Sequence, residues 1–210
     1  MIFRLDERLI FPKPDLAEPD GLLAVGGDLS PDRLMLAYKN GIFPWYSDDT
    51  PILWYSPHTR CVLFPDEVKI SKSMRQVLRS GKFELTVDQC FEQVIRACAS
   101  TPRYDQDGTW ITSAMIDAYT HLHQLGFAHS WEIWQEGELV GGLYGVEVGE
   151  VFCGESMFSR VSNASKAALI YLCQSGRCKM IDCQMPTEHL LSMGARMIGR
   201  YAYDSFLHGC

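Results

Sequence analysis

Long apolar runs are missing from this chain of 210 residues. No stretch approaches the ~18 consecutive apolar residues that a membrane-spanning helix requires. The first eight residues, Met1 to Arg8, alternate charge with hydrophobicity and lack the apolar segment of a secretory signal, so a cytoplasmic protein is expected. C-x-x-C pairs are missing as well. The eight cysteines, at 61, 90, 98, 153, 173, 178, 183 and 210, have neither zinc-finger nor thioredoxin-like spacing, and in a reducing compartment they are expected to be small buried hydrophobes. His121 and His123 stand two apart on an expected helix, where they point to different faces and do not converge on a metal. There is no internal repeat and no low-complexity tract. Positive charge is scarce too: 19 Lys and Arg face 26 Asp and Glu, a net charge of −7. That total disfavours a generally basic nucleic-acid binder, unless the basic residues are segregated onto one surface.

What is present is a chain in two styles. The first ~60 residues are punctuated by Pro and Gly (Phe11-Pro12-Lys13-Pro14, Pro19-Asp20-Gly21, Gly26-Gly27-Asp28, Pro44, Pro51, Pro57), which allows only short elements. One helix fits, with Ser30 as N-cap, Pro31 at the first position and an end near Gly41. Residues 1–60 are therefore expected to form a small N-terminal domain. From Cys61 onward the elements lengthen into a second domain, 61–210. Helices are expected from Ser71 to Gly81, from Asp88 to about Ser100 and from Thr112 to Gly126. Three strands follow at Ser130–Gln135, Glu138–Val148 and Glu150–Phe158, with turns at Glu136-Gly137 and Gly149. A helix over Ala164–Gln174, a strand over Lys179–Gln184 and a final helix from about Thr187 complete an α+β architecture.

Three constellations could carry chemistry. The segment 69–82 holds Lys69, Lys72, Arg75, Arg79 and Lys82 and no acid. At 100° per residue the last four fall within about a quarter-turn, while Met74, Val77 and Leu78 take another side. An exposed basic ridge suits a phosphate backbone, although a merely solvated face would look similar. Trp45 and Trp110 adjoin turn residues, where an indole can stack on a base; Trp131 and Trp134 lie on a strand and read as packing residues. Finally, Glu155 sits in Phe152-Cys153-Gly154-Glu155-Ser156-Met157-Phe158-Ser159 and Asp182 in Ile181-Asp182-Cys183-Gln184, acids among apolar residues at strand ends. Alternation puts Asp182 and Gln184 on one face. Buried carboxylates need partners and often mark sites, though helix capping is the plainer alternative.

Together these segments resemble the leucyl/phenylalanyl-tRNA–protein transferases. The resemblance runs from Gly21-Leu22-Leu23-Ala24-Val25-Gly26-Gly27-Asp28-Leu29 to Ser192-Met193-Gly194-Ala195 through G-I-F-P-W ending at Trp45, G-T-W-I around Trp110, F-C-G-E-S-M-F-S around Glu155 and D-C-Q at 182–184. It implies a small N-terminal domain joined to a GCN5-acetyltransferase-like domain, with an antiparallel-rich mixed sheet flanked by helices. It also implies transfer of leucine, phenylalanine or methionine from aminoacyl-tRNA to proteins beginning with Arg or Lys, creating an N-end-rule degradation signal. No cofactor, metal or membrane is implied. By the same resemblance Trp45 and Trp110 would hold the terminal adenosine. Phe152, Met157, Ile181, Leu143 and Leu172 would line the side-chain pocket. Asp182 and Gln184 would form the catalytic pair, with Glu155 orienting substrate, and Lys72, Arg75, Arg79 and Lys82 would serve the tRNA stem. Thr187 stands where some relatives carry Asn.

An aminoacyl ester is already activated, so an enzyme need only align an amine with the carbonyl and manage one proton. Asp182 polarising Gln184 is one route, and assistance from the substrate's ribose hydroxyl is another. An acyl-CoA enzyme on the same fold would need a Gly-rich phosphate loop, but the link Arg160-Val161-Ser162-Asn163-Ala164-Ser165-Lys166 has no glycine. A tRNA-binding module without turnover would keep the ridge and tryptophans with no need of Asp182, Gln184 or Glu155.

Overall fold

The computed structural model describes residues 2–101 and 110–209; Gly108 and Thr109 of the G-T-W-I motif lie outside them. The turn-rich beginning forms short elements, as its Pro and Gly content requires. Strands β1 (Phe3–Leu5), β2 (Leu22–Gly26), β3 (Phe43–Pro44) and β4 (Leu53–Tyr55) make a small sheet in the order β1-β2-β4-β3. Helix α1 (Pro31–Lys39) starts with Pro31 at its first position, as expected; Ser30 is the cap residue, but its hydroxyl makes no capping bond. Its main-chain N–H instead donates to Asp28 Oδ1 at 2.8 Å.

The large sheet holds β5 (Thr59–Leu63), β6 (Glu84–Val87), β7 (Ala128–Gln135), β8 (Glu138–Val148), β9 (Val151–Ser159), β10 (Met180–Gln184) and β11 (Arg196–Gly199). Their order is β11-β5-β10-β9-β8-β7-β6. All neighbours are antiparallel except β9 and β10, which run parallel. A parallel pair needs a crossover, and helix α5 (Ala164–Gln174) supplies it. The remaining helices are α2 (Lys72–Arg79), α3 (Phe91–Ala99), α4 (Ser113–Gln124), α6 (Glu188–Ser192) and α7 (Arg200–His208). The α+β class is the one the sequence pattern implied, and the mixed, mostly antiparallel sheet between helices is the one the family resemblance implied.

Burial on both faces explains the near-continuous apolar character of β8 and β9. On one face α1, α3, α4 and the small sheet pack against Tyr144, Val146, Cys153 and Phe158. On the other, α5 and Met74 of α2 pack against Trp131, Leu143, Phe152 and Ile181. Gly145 on β8 is needed for close approach: a Cβ there would lie 2.2 Å from the Cys153 carbonyl oxygen and 2.6 Å from the Phe152 ring.

Several expectations need correction. The final helix from Thr187 is only the short α6, and the chain then adds an edge strand and α7. The helix expected from Asp88 starts at Phe91, because Asp88 adopts φ +59° and its carboxylate accepts the Ser130 N–H and meets His129 Nδ1 at 2.7 Å. Strands β5, β6 and β11 went unrecognised; β6 and β11 are edge strands, half-exposed, with too few residues to show a period.

Candidate active site

Strands β9 and β10 pair in register only as far as Cys153 and Asp182. Beyond that point each carries a bulge. On β9 the partners of Tyr144 and Gly145 are Ser156 and Gly154, so Glu155 is the extra residue. On β10, Asp182 pairs with Val62 and Gln184 with Cys61, leaving Cys183 as the extra one. Bulges bend strands and re-aim side chains, so the parallel pair opens at this end of the sheet. Gln184 sits there with φ +56°, a left-handed conformation that costs a non-glycine residue about 1–3 kcal/mol and persists where the surroundings enforce it.

The three expected polar residues meet at this opening. Gln184 Nε2 donates to Glu155 Oε1 at 3.1 Å, spanning the gap. Asp182 Oδ1 accepts the main-chain N–H of Gln184 at 2.9 Å. Asp182 therefore reaches Gln184 through the backbone, and the carboxylate that holds the Gln184 side chain is Glu155. A side-chain relay from Asp182 to Gln184 is not the arrangement found.

The two acids have opposite surroundings. Asp182 is wholly buried and ion-paired: Arg60 donates from Nε to Oδ1 at 3.2 Å and from Nη2 to Oδ2 at 2.5 Å, and Tyr203 OH donates to Oδ2 at 2.9 Å. Arg60 is itself buried, its guanidinium 4.8 Å from the ring centres of both Phe43 and Tyr203, and Nη1 donates to the Gly41 carbonyl at 2.9 Å. Burial alone would lower the Arg60 pKa, but the Asp182 carboxylate more than reverses this and holds it above its ordinary value. Gly41, at φ +66°, has Tyr203 and Arg200 so near that a Cβ would come within 2.9 Å of each. The G-I-F-P-W segment thus cradles Arg60 with its Gly41 carbonyl and Phe43 ring.

Glu155, only 8% exposed, has neutral partners. Tyr38 OH of α1 donates to Oε1 at 2.7 Å and Tyr119 OH of α4 to Oε2 at 3.3 Å, and the two hydroxyls lie against each other. Burial raises the Glu155 pKa, and the Asp182 charge adds to this; the Tyr38, Tyr119 and Gln184 hydrogen bonds pull the other way, and the outcome is about 7. Both tyrosine pKa values are pushed well above 10 by burial and then by the Glu155 charge, so both hydroxyls remain donors at neutral pH.

Trp45, 36% exposed, sets its ring 5.5 Å from Tyr55. Trp110 is half-buried against the core. Their loops adjoin, because Tyr46 OH and Thr112 Oγ1 are 3.2 Å apart. The expected packing role of Trp131 is realised: it is buried, 5.1 Å from the Phe152 ring. Phe152, Ile181, Leu143 and Leu172 lie together in the core on the α5 face, with Met157 half-buried against them. Lys72, Arg75, Arg79 and Lys82 are all exposed, and among the described residues none pairs with a carboxylate. Thr187 caps α6, its Oγ1 accepting the Leu190 N–H at 3.2 Å.

Sequence reasoning overlooked Arg60, Tyr203, Tyr38 and Tyr119. Arg60 left one signal: a lone cation in the apolar run 60–63, as Asp182 is a lone anion in its own run, and two such charges call for each other. The tyrosines left none, since on amphipathic helices they read as packing aromatics.

Comparison with known proteins shows the family. Residues 62–208 match the family model described as leucyl/phenylalanyl-tRNA protein transferase, and residues 27–58 match that family's N-terminal domain. The chain is 58% identical over 209 residues to the leucyl/phenylalanyl-tRNA–protein transferase of Syntrophobacter fumaroxidans, covering 98% of this chain and 89% of that one. It is 55% identical over 204 residues to the transferase of that name from Pseudomonas fluorescens, covering 95% and 90%. Among solved structures, FemX superposes with a TM-score of 0.52 at 10% identity, over 80% of this chain and 66% of that one, which shows a shared fold. The chain belongs to the leucyl/phenylalanyl-tRNA–protein transferase family.

Proposed function

We propose that this enzyme transfers leucine or phenylalanine, and also methionine, from aminoacyl-tRNA to the N-terminus of proteins beginning with Arg or Lys. The product carries a new N-terminal residue that acts as an N-end-rule signal, and the reaction takes place in the cytoplasm. The observation that carries this reading is the Gln184–Glu155 bridge across the opening between β9 and β10. It sets an amide and a weakly acidic carboxyl side by side where the two strands part. An activated ester needs no more than this: positioned polar groups to align an amine and accept a proton.

The donor's terminal adenosine stacks on Trp45 and Trp110, base–aromatic stacking contributing about 1–3 kcal/mol per base. Its side chain enters the opening toward the α5 face, where Met157 meets it first and Phe152, Ile181, Leu143 and Leu172 form the wall behind. Charged donor side chains are rejected there, because nothing offsets their desolvation. Lys72, Arg75, Arg79 and Lys82 hold the acceptor stem through phosphates, contacts that carry no sequence information. The division near residue 60 assigns the adenosine-facing Trp45 to the small N-terminal unit and the reacting groups to the larger domain.

The deciding assay mixes the purified protein with leucyl-tRNA and a peptide beginning with Arg, and follows the peptide by mass spectrometry. A gain of one leucine residue is expected. Absence of that gain, or equal transfer from lysyl- or aspartyl-tRNA, overturns the reading.

A further inference from the structure

We infer that Glu155 is the group that takes the proton from the attacking amine, and that Asp182 is a positioning residue, engaged by Arg60 and Tyr203. The inference rests on the aminoacyl-transfer reading above and concerns the division of labour within that site.

The geometry separates the two carboxylates. Asp182 is fully buried, and its oxygens already serve four donors: two from Arg60, one from Tyr203 and the Gln184 N–H. Its pair with Arg60 is charge-assisted, and no amine can reach it without displacing those donors. What Asp182 does is fix the main chain of Gln184 in its left-handed conformation and so aim the Gln184 amide at Glu155.

Among the described residues no cation forms an ion pair with Glu155. The groups facing it are the hydroxyls of Tyr38 from α1 and Tyr119 from α4, the Gln184 amide and the buried Asp182 carboxylate from β10, and the Cys153 thiol on its own strand. Neutral donors leave it free to change protonation at small cost. Its value of about 7 lies near working pH, where a proton acceptor is most effective. It lies at the open end of the β9–β10 pair, beside half-buried Gln184 and exposed Met185.

The step balances as follows. The acceptor's α-ammonium gives one proton to the Glu155 carboxylate while Gln184 orients the nitrogen. The nitrogen bonds to the ester carbonyl carbon, and the bond from that carbon to the ribose oxygen breaks. The second proton lost from nitrogen ends on the freed ribose hydroxyl, and Glu155 returns its proton to water.

Single-turnover transfer from leucyl-tRNA to a saturating Arg peptide, measured from about pH 5.5 to 8.5, tests this. The unmodified enzyme should lose rate as pH falls through about 7, with Glu155 becoming protonated. Glu155→Gln should lower the plateau by about 10–1000-fold. It should also move the acid limb up toward the α-amine's own pKa, roughly 7.7–8.0. Glu155→Asp keeps a carboxylate, so it should restore a limb below that of Glu155→Gln and guards against a folding defect. Asp182→Asn should lower the rate yet keep the limb, shifted downward because a negative charge near Glu155 has gone. An unmoved limb in Glu155→Gln, or a limb lost in Asp182→Asn, overturns the inference. Failure of the unmodified enzyme to transfer leucine at all would refute the aminoacyl-transfer reading instead.

Discussion

Replacing Arg60 with Met keeps most of the bulk and removes the charge. The structure sets the size of the effect. The guanidinium is buried between Phe43 and Tyr203 and makes two bonds to a fully buried Asp182 and one to the Gly41 carbonyl. Removing one member of a buried pair costs about 3–5 kcal/mol, since the other charge is stranded. That is a large part of the ~5–15 kcal/mol that holds a domain folded. At roughly 2–4 °C per kcal/mol for a chain of this size, the midpoint should fall by about 6–20 °C. Asp182→Asn should destabilise as well, leaving Arg60 unpaired. The double variant Arg60→Met/Asp182→Asn leaves two neutral groups and should cost at least about 1 kcal/mol less than the sum of the singles. Urea unfolding followed by circular dichroism measures all three. A loss below about 1 kcal/mol for Arg60→Met, or strict additivity in the double variant, would refute the reasoning. It would mean that the pair is solvated or does not hold the sheet to the small N-terminal unit.

Glu155 also ties stability to pH. Its folded value of about 7 stands above the ordinary 4.5, so the folded chain binds that proton more tightly; the stability gained is present below 4.5 and lost as pH rises through about 7. The unmodified protein should therefore lose stability relative to Glu155→Gln across that window, and parallel denaturation curves at each pH would contradict the burial argument. Changing Lys72, Arg75, Arg79 and Lys82 together to Ala should leave the melting point nearly unchanged, because all four are exposed. If each meets a phosphate, the slope of log affinity for tRNA against log salt should shrink by about 3–4, read by filter binding; an unchanged slope returns the helix to a solvated face. Trp45→Ala should weaken donor affinity by about 5–150-fold, the equivalent of 1–3 kcal/mol of stacking, while saturating single-turnover rates hold; equal losses in both would move Trp45 from binding to chemistry.

Sequence alone determined the elements whose period could be counted. The β7–β8–β9 meander, the crossover helix α5 and the basic face of α2 follow from alternation, turn glycines and helical spacing, because those signals are local. The motifs around Glu155 and Asp182 meet where the β9–β10 pairing ends. Tertiary structure decided who partners whom. Arg60 lies 122 positions from Asp182 and Tyr38 lies 117 from Glu155, separations over which no periodic pattern carries information. The two bulges are also invisible in sequence, since an extra residue in a strand appears only against its partner's register. Yet the bulges open the β9–β10 pair, and the distant cation and hydroxyls give the two carboxylates opposite surroundings, one ion-paired and the other held by neutral donors. The residue types fixed which groups were available; packing of distant segments decided what surrounds each acid, because burial and partner charges come from segments far apart in the chain.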